Sequence, residues 1–357
     1  MKKPAVIYSE KYLMLNFGPG HPFQPERFKE TLALMKELLD IRIYEPRYIE
    51  ENLLVELGIH SPHYIRKVKE CSRLTIPYLS EFSTDTPCFE GIFEWGLSYC
   101  GGAIRGCDLI LSGNTDIVFN IAGGYHHAKY NADGGFCVFN DCALALEYLR
   151  QKGKKVAYID IDGHAGEGTY LILYDKPILK ISIHEDPNYL YPGRGFLWEI
   201  GERNGKGYTL NVPLAPYSGD PDLIEVFDKV VISILEGYRP QAIVFQCGVD
   251  GYFDDPLTHL NYTINGYIHI ATRLRELGIP ILMCSGGGYS NDAPKLHTVI
   301  LAYLTDQKQK VKRLVDLLQQ RIPKNLKRNT KEYTKWLIEE IKTNHPVFSL
   351  LNLGNPE

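Results

Sequence analysis

Several things are missing from this sequence, and each absence removes a class of protein. No apolar run among the 357 residues is long enough to cross a bilayer, so a helical membrane protein is not expected. The opening MKKPAVIYSEKYL carries two lysines but no sustained apolar stretch and no small-residue cleavage site, so no secretory leader is read there. Basic residues are not in excess: 39 Lys and Arg face 43 Asp and Glu, and a net charge of -4 offers no footprint for nucleic acid. The eight cysteines, at 71, 88, 100, 107, 137, 142, 247 and 284, never form a C-x-x-C pair. With Cys247 and Cys284 inside apolar runs, they read as reduced, mostly buried thiols of a cytoplasmic protein without a disulfide frame. Internal repeats, low-complexity tracts and a Pro/Gly/Ser linker are also missing.

What is present is ordinary in bulk, with 44% hydrophobic and 23% charged residues, and informative in pattern. Nearly continuous apolar runs at 115–124, 155–162, 178–184, 241–250 and 279–288 end in Gly or polar residues, as parallel strands buried on both faces do. Helical patterns at 140–153, 221–238 and 264–278 lie between them, each ending at or near Gly. This alternation predicts a three-layer α/β/α fold around an open parallel sheet. The Lys- and Arg-rich stretch from about 305 to 345 reads as surface helices turning a Leu, Val and Trp face to the body. The expected division is a catalytic domain over 1–305 and a helical extension over 306–357.

In such sheets ligands bind outside the carboxyl ends of the strands, and here each predicted strand ends in reactive side chains. VAYIDIDGHAGEG (156–168) places Asp160, Asp162 and His164 at alternate positions, on one face. Buried carboxylates are costly unless paired or bound to metal. Asp162 and His164 can share one cation, and Asp250 from another strand end completes two carboxylates and one imidazole. Three protein ligands with an open position is the pattern of a catalytic zinc site. That donor set also suits Fe²⁺ or Co²⁺. His126 and His127, after a Gly-Gly break, suit acid–base work beside a metal, with Asp160 and Glu167 as candidates to orient them. In SGGGY the glycines carry Tyr289 to the rim, where its hydroxyl can donate to a developing oxyanion. A phosphate-cradle reading fails, because no Lys-Ser/Thr follows and no G-x-G-x-x-G opens a helix near the first strand.

The motifs AGGYHHAKYNADGGFCVFND, YIDIDGHAGEG, SIH…YPGRG, GKGYTLNVPL, QCGVDGYFDDPL and SGGGY occur in one order, and together they resemble the zinc-dependent histone deacetylase family, which includes bacterial acetoin-utilisation proteins and acetylpolyamine amidohydrolases. The resemblance spans roughly residues 15 to 305. It implies an arginase-like fold with an eight-stranded parallel sheet, and hydrolysis of acylated amines. It implies Zn²⁺ on Asp162, His164 and Asp250, and His127 as general base and acid. His126 is then oriented by Asp160, His127 by Glu167, and the carbonyl is polarised by Tyr289. It further implies a tunnel flanked by Gly135, Phe136 and Tyr191, and a rim aspartate, Asp85, holding the substrate backbone. A structural K⁺ is implied at Asp160, Asp162, His164, Ser182 and Ile183, with Tyr208 belonging to a second such site.

Two departures stand out. HAGEG replaces the family's usual His-His-Gly-Asp-Gly, so Ala165 removes a histidine and Glu167 is one methylene longer than Asp. The leading expectation is removal of acetyl or short acyl groups from an acyl-lysine or a small acylated amine, with no nucleic-acid or membrane partner and the oligomeric state left open. Leu257 stands where polyamine-selective relatives carry Glu, which argues against an acetylpolyamine amidohydrolase, although Asp254, Asp255 and Glu90 can supply charge. A ureohydrolase is disfavoured, since one aspartate beyond Asp162 and His164 makes a one-metal site. A catalytically weak binding module is the remaining alternative.

Overall fold

The computed structural model describes residues 2–73, 83–326 and 330–353, so 327–329 and 354–357 of the predicted extension lie outside the described residues. Its centre is one eight-stranded sheet in the order β2-β1-β3-β8-β7-β4-β5-β6, every pairing parallel. The strands are β1 (Ala5–Ile7), β2 (Arg42–Tyr44), β3 (Ile117–Asn120), β4 (Val156–Asp160), β5 (Leu179–Glu185), β6 (Thr209–Leu214), β7 (Ala242–Gln246) and β8 (Ile281–Cys284). Helices cover both faces, which gives the expected three-layer fold. The five strands read from apolar runs are all there; four are shorter than the runs, and β5 is displaced by one residue. β1, β2 and β6 lie outside the predicted runs.

The topology decides where the site falls. β3 is followed in sequence by β4, yet β8 and β7 return between them. The carboxyl ends of β3, β8, β7 and β4 therefore stand side by side where the chain direction of travel reverses, which is where open α/β sheets bind ligands. Helix Ile92–Leu111 lies close on one face because it is glycine-bearing: a Cβ on Gly106 would stand 2.5 Å from Leu282 Cδ1. Helix Asp141–Gln151 starts where Asn140 Oδ1 accepts the Ala143 N–H at 2.8 Å. The predicted 221–238 helix is continuous but passes through a π-helical stretch at Phe227–Ile232.

The extension packs on the body. Leu337, Ile338 and Ile341 of helix Lys331–Asn344 are buried, and Asp222 accepts from Thr330 Oγ1 at 2.7 Å and Thr334 Oγ1 at 2.6 Å. His345 Nε2 donates to the Thr209 carbonyl of β6 at 2.9 Å, so this segment covers the sheet's edge.

One sequence expectation is overturned. Cys71 and Cys88 form a disulfide, their Cα atoms 5.5 Å apart. Cys71 ends helix Pro62–Cys71 and Cys88 precedes helix Ile92–Leu111, so packing of two helices brings together thiols that no local motif links. The other six cysteines are free and buried, as expected. Among the described residues, no helix is long and apolar enough to cross a membrane.

Candidate active site

β4 delivers the first carboxylates. Asp160 is fully buried, with Oδ2 accepting from Tyr158 OH at 2.7 Å and meeting His126 Nδ1 at 2.8 Å. The strand then turns, and each acid that follows has one oxygen already engaged. Asp162 Oδ2 accepts from Gln246 Nε2 and the Gly287 N–H, both at 2.8 Å. Asp250 Oδ1 accepts the Gly163 N–H at 2.6 Å. The remaining oxygens converge on one imidazole nitrogen: His164 Nδ1 lies 2.7 Å from Asp250 Oδ2 and 3.3 Å from Asp162 Oδ1. Three potential ligand atoms thus lie within 4.8 Å of one another in a buried spot. Burial opposes a charge on His164, but Asp250 and Asp162 outweigh it and hold the imidazole well above its usual pKa. Two facing buried carboxylates need a positive charge between them. The donor set of two carboxylates and an imidazole therefore fits a divalent cation.

His126 and His127 follow β3 and sit beside this cluster. Asp141 anchors their turn by accepting the Gly124 and Tyr125 N–H groups. Although Asp141 lies near Cys142 and Cys284, its oxygens are thus spent on backbone donors. His126 Nε2 and His127 Nε2 face each other at 3.1 Å. Burial lowers both imidazoles, but Asp160 and Asp162 carry His126 up to about 9. For His127, burial and the charge on His126 prevail over Glu167 and leave it at about 4. The tandem therefore splits into one cationic and one neutral ring, the arrangement that assigns acid and base roles by environment.

Glu167, at the start of helix Glu167–Ile172, meets His127 Nδ1 at 2.6 Å and Lys129 Nζ at 2.9 Å. The longer side chain still reaches the imidazole, and Lys129 holds its other oxygen. Burial raises Glu167, yet His127 and Lys129 bring it down to about 2. Ala165 is buried and lies against Gly195. A Cβ on Gly195 would lie 2.5 Å from Ala165 Cβ and 2.6 Å from His184 Nε2.

A narrow cavity opens over these groups, lined by His126, His127, Gly135, Phe136, Asp162 and Tyr289 among others. Tyr289 and Ser290 donate their N–H groups to Asp255 Oδ2 at 2.7 and 3.2 Å, which sets the tyrosine's direction. Gly135 runs directly against His127: a Cβ there would stand 2.2 Å from Cδ2, and its φ is +53°. Phe136, with φ 67°, lies edge-on to Tyr289 with ring centroids 5.7 Å apart. Tyr191 is edge-on to His127 at 5.1 Å and half exposed. Asp85 Oδ2 accepts the Gly135 N–H at 3.1 Å, so it stands at the rim and braces the turn beneath. Leu257 donates its N–H to Asp255 Oδ1 at 3.0 Å on the neighbouring loop.

Not every expected residue joins its set. Asp160 and Ser182 of the expected K⁺ site are register partners on β4 and β5, and Ile183 follows. Tyr208, expected at a second such site, precedes β6, roughly 10 Å down the neighbouring strand at 3.3 Å per residue. Asp255 is not a free charge for a cationic substrate, being buried and spent on backbone donors. Asp254 pairs with Arg321 at 2.7 Å.

Sequence reasoning missed Arg27, Gln246 and the positioning role of Asp255. Arg27 Nη1 donates to the Gly288 carbonyl at 2.7 Å and Nη2 to that of Gly286, holding the SGGGY loop from 261 positions away. A glutamine inside the 241–250 apolar run was a signal for Gln246. Nothing local marked Arg27.

A model of the histone deacetylase domain matches residues 21–304. The chain belongs to the histone deacetylase family. The acetoin utilization protein AcuC of Bacillus subtilis (strain 168) is 34% identical over 305 residues, covering 81% of this chain and 78% of that protein. AcuC of Staphylococcus aureus (strain MRSA252) is 33% identical over 324 residues, covering 86% and 83%. The solved structure of the HDA15 HD domain superposes with a TM-score of 0.81 at 25% identity, over 98% of this chain and 99% of that one. Membership in this family was legible from the ordered motifs alone.

Proposed function

We propose that the protein is a metal-dependent deacylase that removes acetyl or other short acyl groups from acyl-lysine or a similar amine. One observation carries the reading: Asp162, the tandem histidines and Tyr289 line one cavity, and Asp162 clusters there with His164 and Asp250. A divalent cation on the three ligands, Zn²⁺ in this reading with Fe²⁺ or Co²⁺ suited to the same donors, supplies Lewis-acid polarisation of an amide carbonyl and acidification of water.

The chain's own groups do the rest. Glu167 accepts from His127 Nδ1 and thereby keeps Nε2, which faces His126 Nε2, as the unprotonated nitrogen. Nε2 collects the proton of the attacking water and returns it to the leaving amine. His126, held cationic by Asp160, keeps positive charge beside the reacting carbonyl. The Tyr289 hydroxyl donates to the carbonyl oxygen as charge builds there. Phe136 and Tyr191 flank the alkyl chain, Gly135 lets the backbone approach His127, and Asp85 meets the substrate backbone at the rim. A K⁺ between β4 and β5, on Asp160, Asp162, His164, Ser182 and Ile183, belongs to the same proposal.

Acyl-lysine is favoured over acylpolyamine because the acids near Leu257 are engaged internally, which leaves that edge of the mouth without a free carboxylate for a dication. The test is turnover of acetyl-lysine peptide against acetylated polyamine, with longer acyl-lysines alongside. Faster polyamine turnover at equal concentration overturns the substrate assignment.

A further inference from the structure

The mechanism leaves one fully buried amine unused. Lys180, on β5, is 1% exposed, in a strand where its neighbours are apolar. It forms no ion pair among the described residues. Its Nζ instead donates to two carbonyls, Leu173 at 2.9 Å and Lys176 at 3.3 Å. Its own N–H holds a third carbonyl nearby, that of Tyr208, at 2.8 Å. These carbonyls belong to the turn that leaves helix Glu167–Ile172, whose first residue meets His127, and to the residue just before β6. Tyr238 closes the same corner, its ring 6.3 Å from that of Tyr208 and its hydroxyl 3.4 Å from the Pro177 carbonyl. Carbonyl oxygens turned on one buried cation, without a carboxylate bonded to it, are the chemistry of a monovalent-cation site, and a second such ion was expected at Tyr208. The residues do not fit one, because a lysine nitrogen already takes the acceptors.

We infer that the Lys180 amino group stands in for a monovalent cation beside Tyr208, tying the end of helix Glu167–Ile172 to β5 and β6 so that this corner binds no ion. Burial draws the group down to about 7, and it donates N–H to carbonyls as ammonium or as amine. Removing it leaves the Leu173 and Lys176 carbonyls only their backbone donors, the N–H groups of Lys176 and Ile178, around a space that a small cation or an alkylammonium can refill.

The test melts Lys180→Ala beside the unaltered protein in choline, potassium and propylammonium chlorides at equal ionic strength. Propylammonium matches the severed part of the side chain. The variant is expected to melt about 3–6 °C lower in choline. Potassium or propylammonium then returns at least about half of that loss, beyond any gain the unaltered protein makes from its β4–β5 site. A variant that gains no more than the unaltered protein overturns the inference. Should Lys180→Ala not fold, rubidium-soaked crystals of the unaltered protein decide it. No rubidium at the Leu173 and Lys176 carbonyls supports the inference, and an ion there beside the intact lysine overturns it. Neither readout uses turnover, so the outcome stands apart from the deacylase reading.

Discussion

The two residues that depart from the family's usual motif have different consequences. Glu167 keeps its contact with His127 and gains Lys129 on its second oxygen, so the longer side chain is accommodated. Glu167→Ala removes the group that fixes the imidazole's tautomer. Steady-state kinetics should find kcat lower by about 10²–10⁴-fold with metal content unchanged. Ala165, by contrast, is buried and lies against Gly195. Restoring a histidine at this position overpacks the wall, and thermal or urea melts of Ala165→His should show a loss of about 1–3 kcal/mol. At this scale the groups of the candidate site were legible because they sit in short, ordered motifs. The groups that aim them were not, because Arg27, Gln246 and Asp255 meet their partners only in the fold.

At the scale of elements, the site depends on how loops are pinned to strand ends. Asp255 holds the N–H groups of Tyr289 and Ser290, and it carries no charge outward. Asp255→Ala should lower kcat by about 10–100-fold, as expected for about 1–3 kcal/mol of lost positioning, while KM moves little. Buried histidines pin other elements in their neutral form. His60 Nε2 accepts the Asn140 N–H at 2.9 Å, and His345 Nδ1 accepts that of Val347 at 3.2 Å. Burial lowers His60 to about 3, and His345 to about 4, from the usual 6.5. The unfolded chain therefore binds more protons below pH 6.5, and stability present above that pH is lost as it falls toward 3–4. Melting temperatures measured from pH 7.5 downward should decline below about 6.5, and His345→Gln should flatten part of that decline. The long strands were legible as continuous apolar runs. β1 and β2 have three residues each, too few to show a period, and β6 ends its apolar run at Pro213.

For the whole molecule, the reversal of strand order puts four strand ends at one place, and the C-terminal segment closes the β6 edge far from them. Asp222 links that segment to the body through Thr330 and Thr334. Asp222→Ala should cost about 1–3 kcal/mol in denaturant melts and leave turnover per folded molecule unchanged. The disulfide between Cys71 and Cys88 illustrates what sequence does not carry at this scale, since helix packing alone determines that pair. The central claim is that Asp162, His164 and Asp250 hold the ion on which deacylation depends. The most direct measurement strips the protein of metal, titrates Zn²⁺ back while following a fluorogenic acetyl-lysine peptide, and repeats this with Asp162→Ala. The account predicts that turnover returns at one equivalent in the unaltered protein and that the variant neither retains the ion nor turns over. Equal metal content and equal turnover in the variant would contradict it.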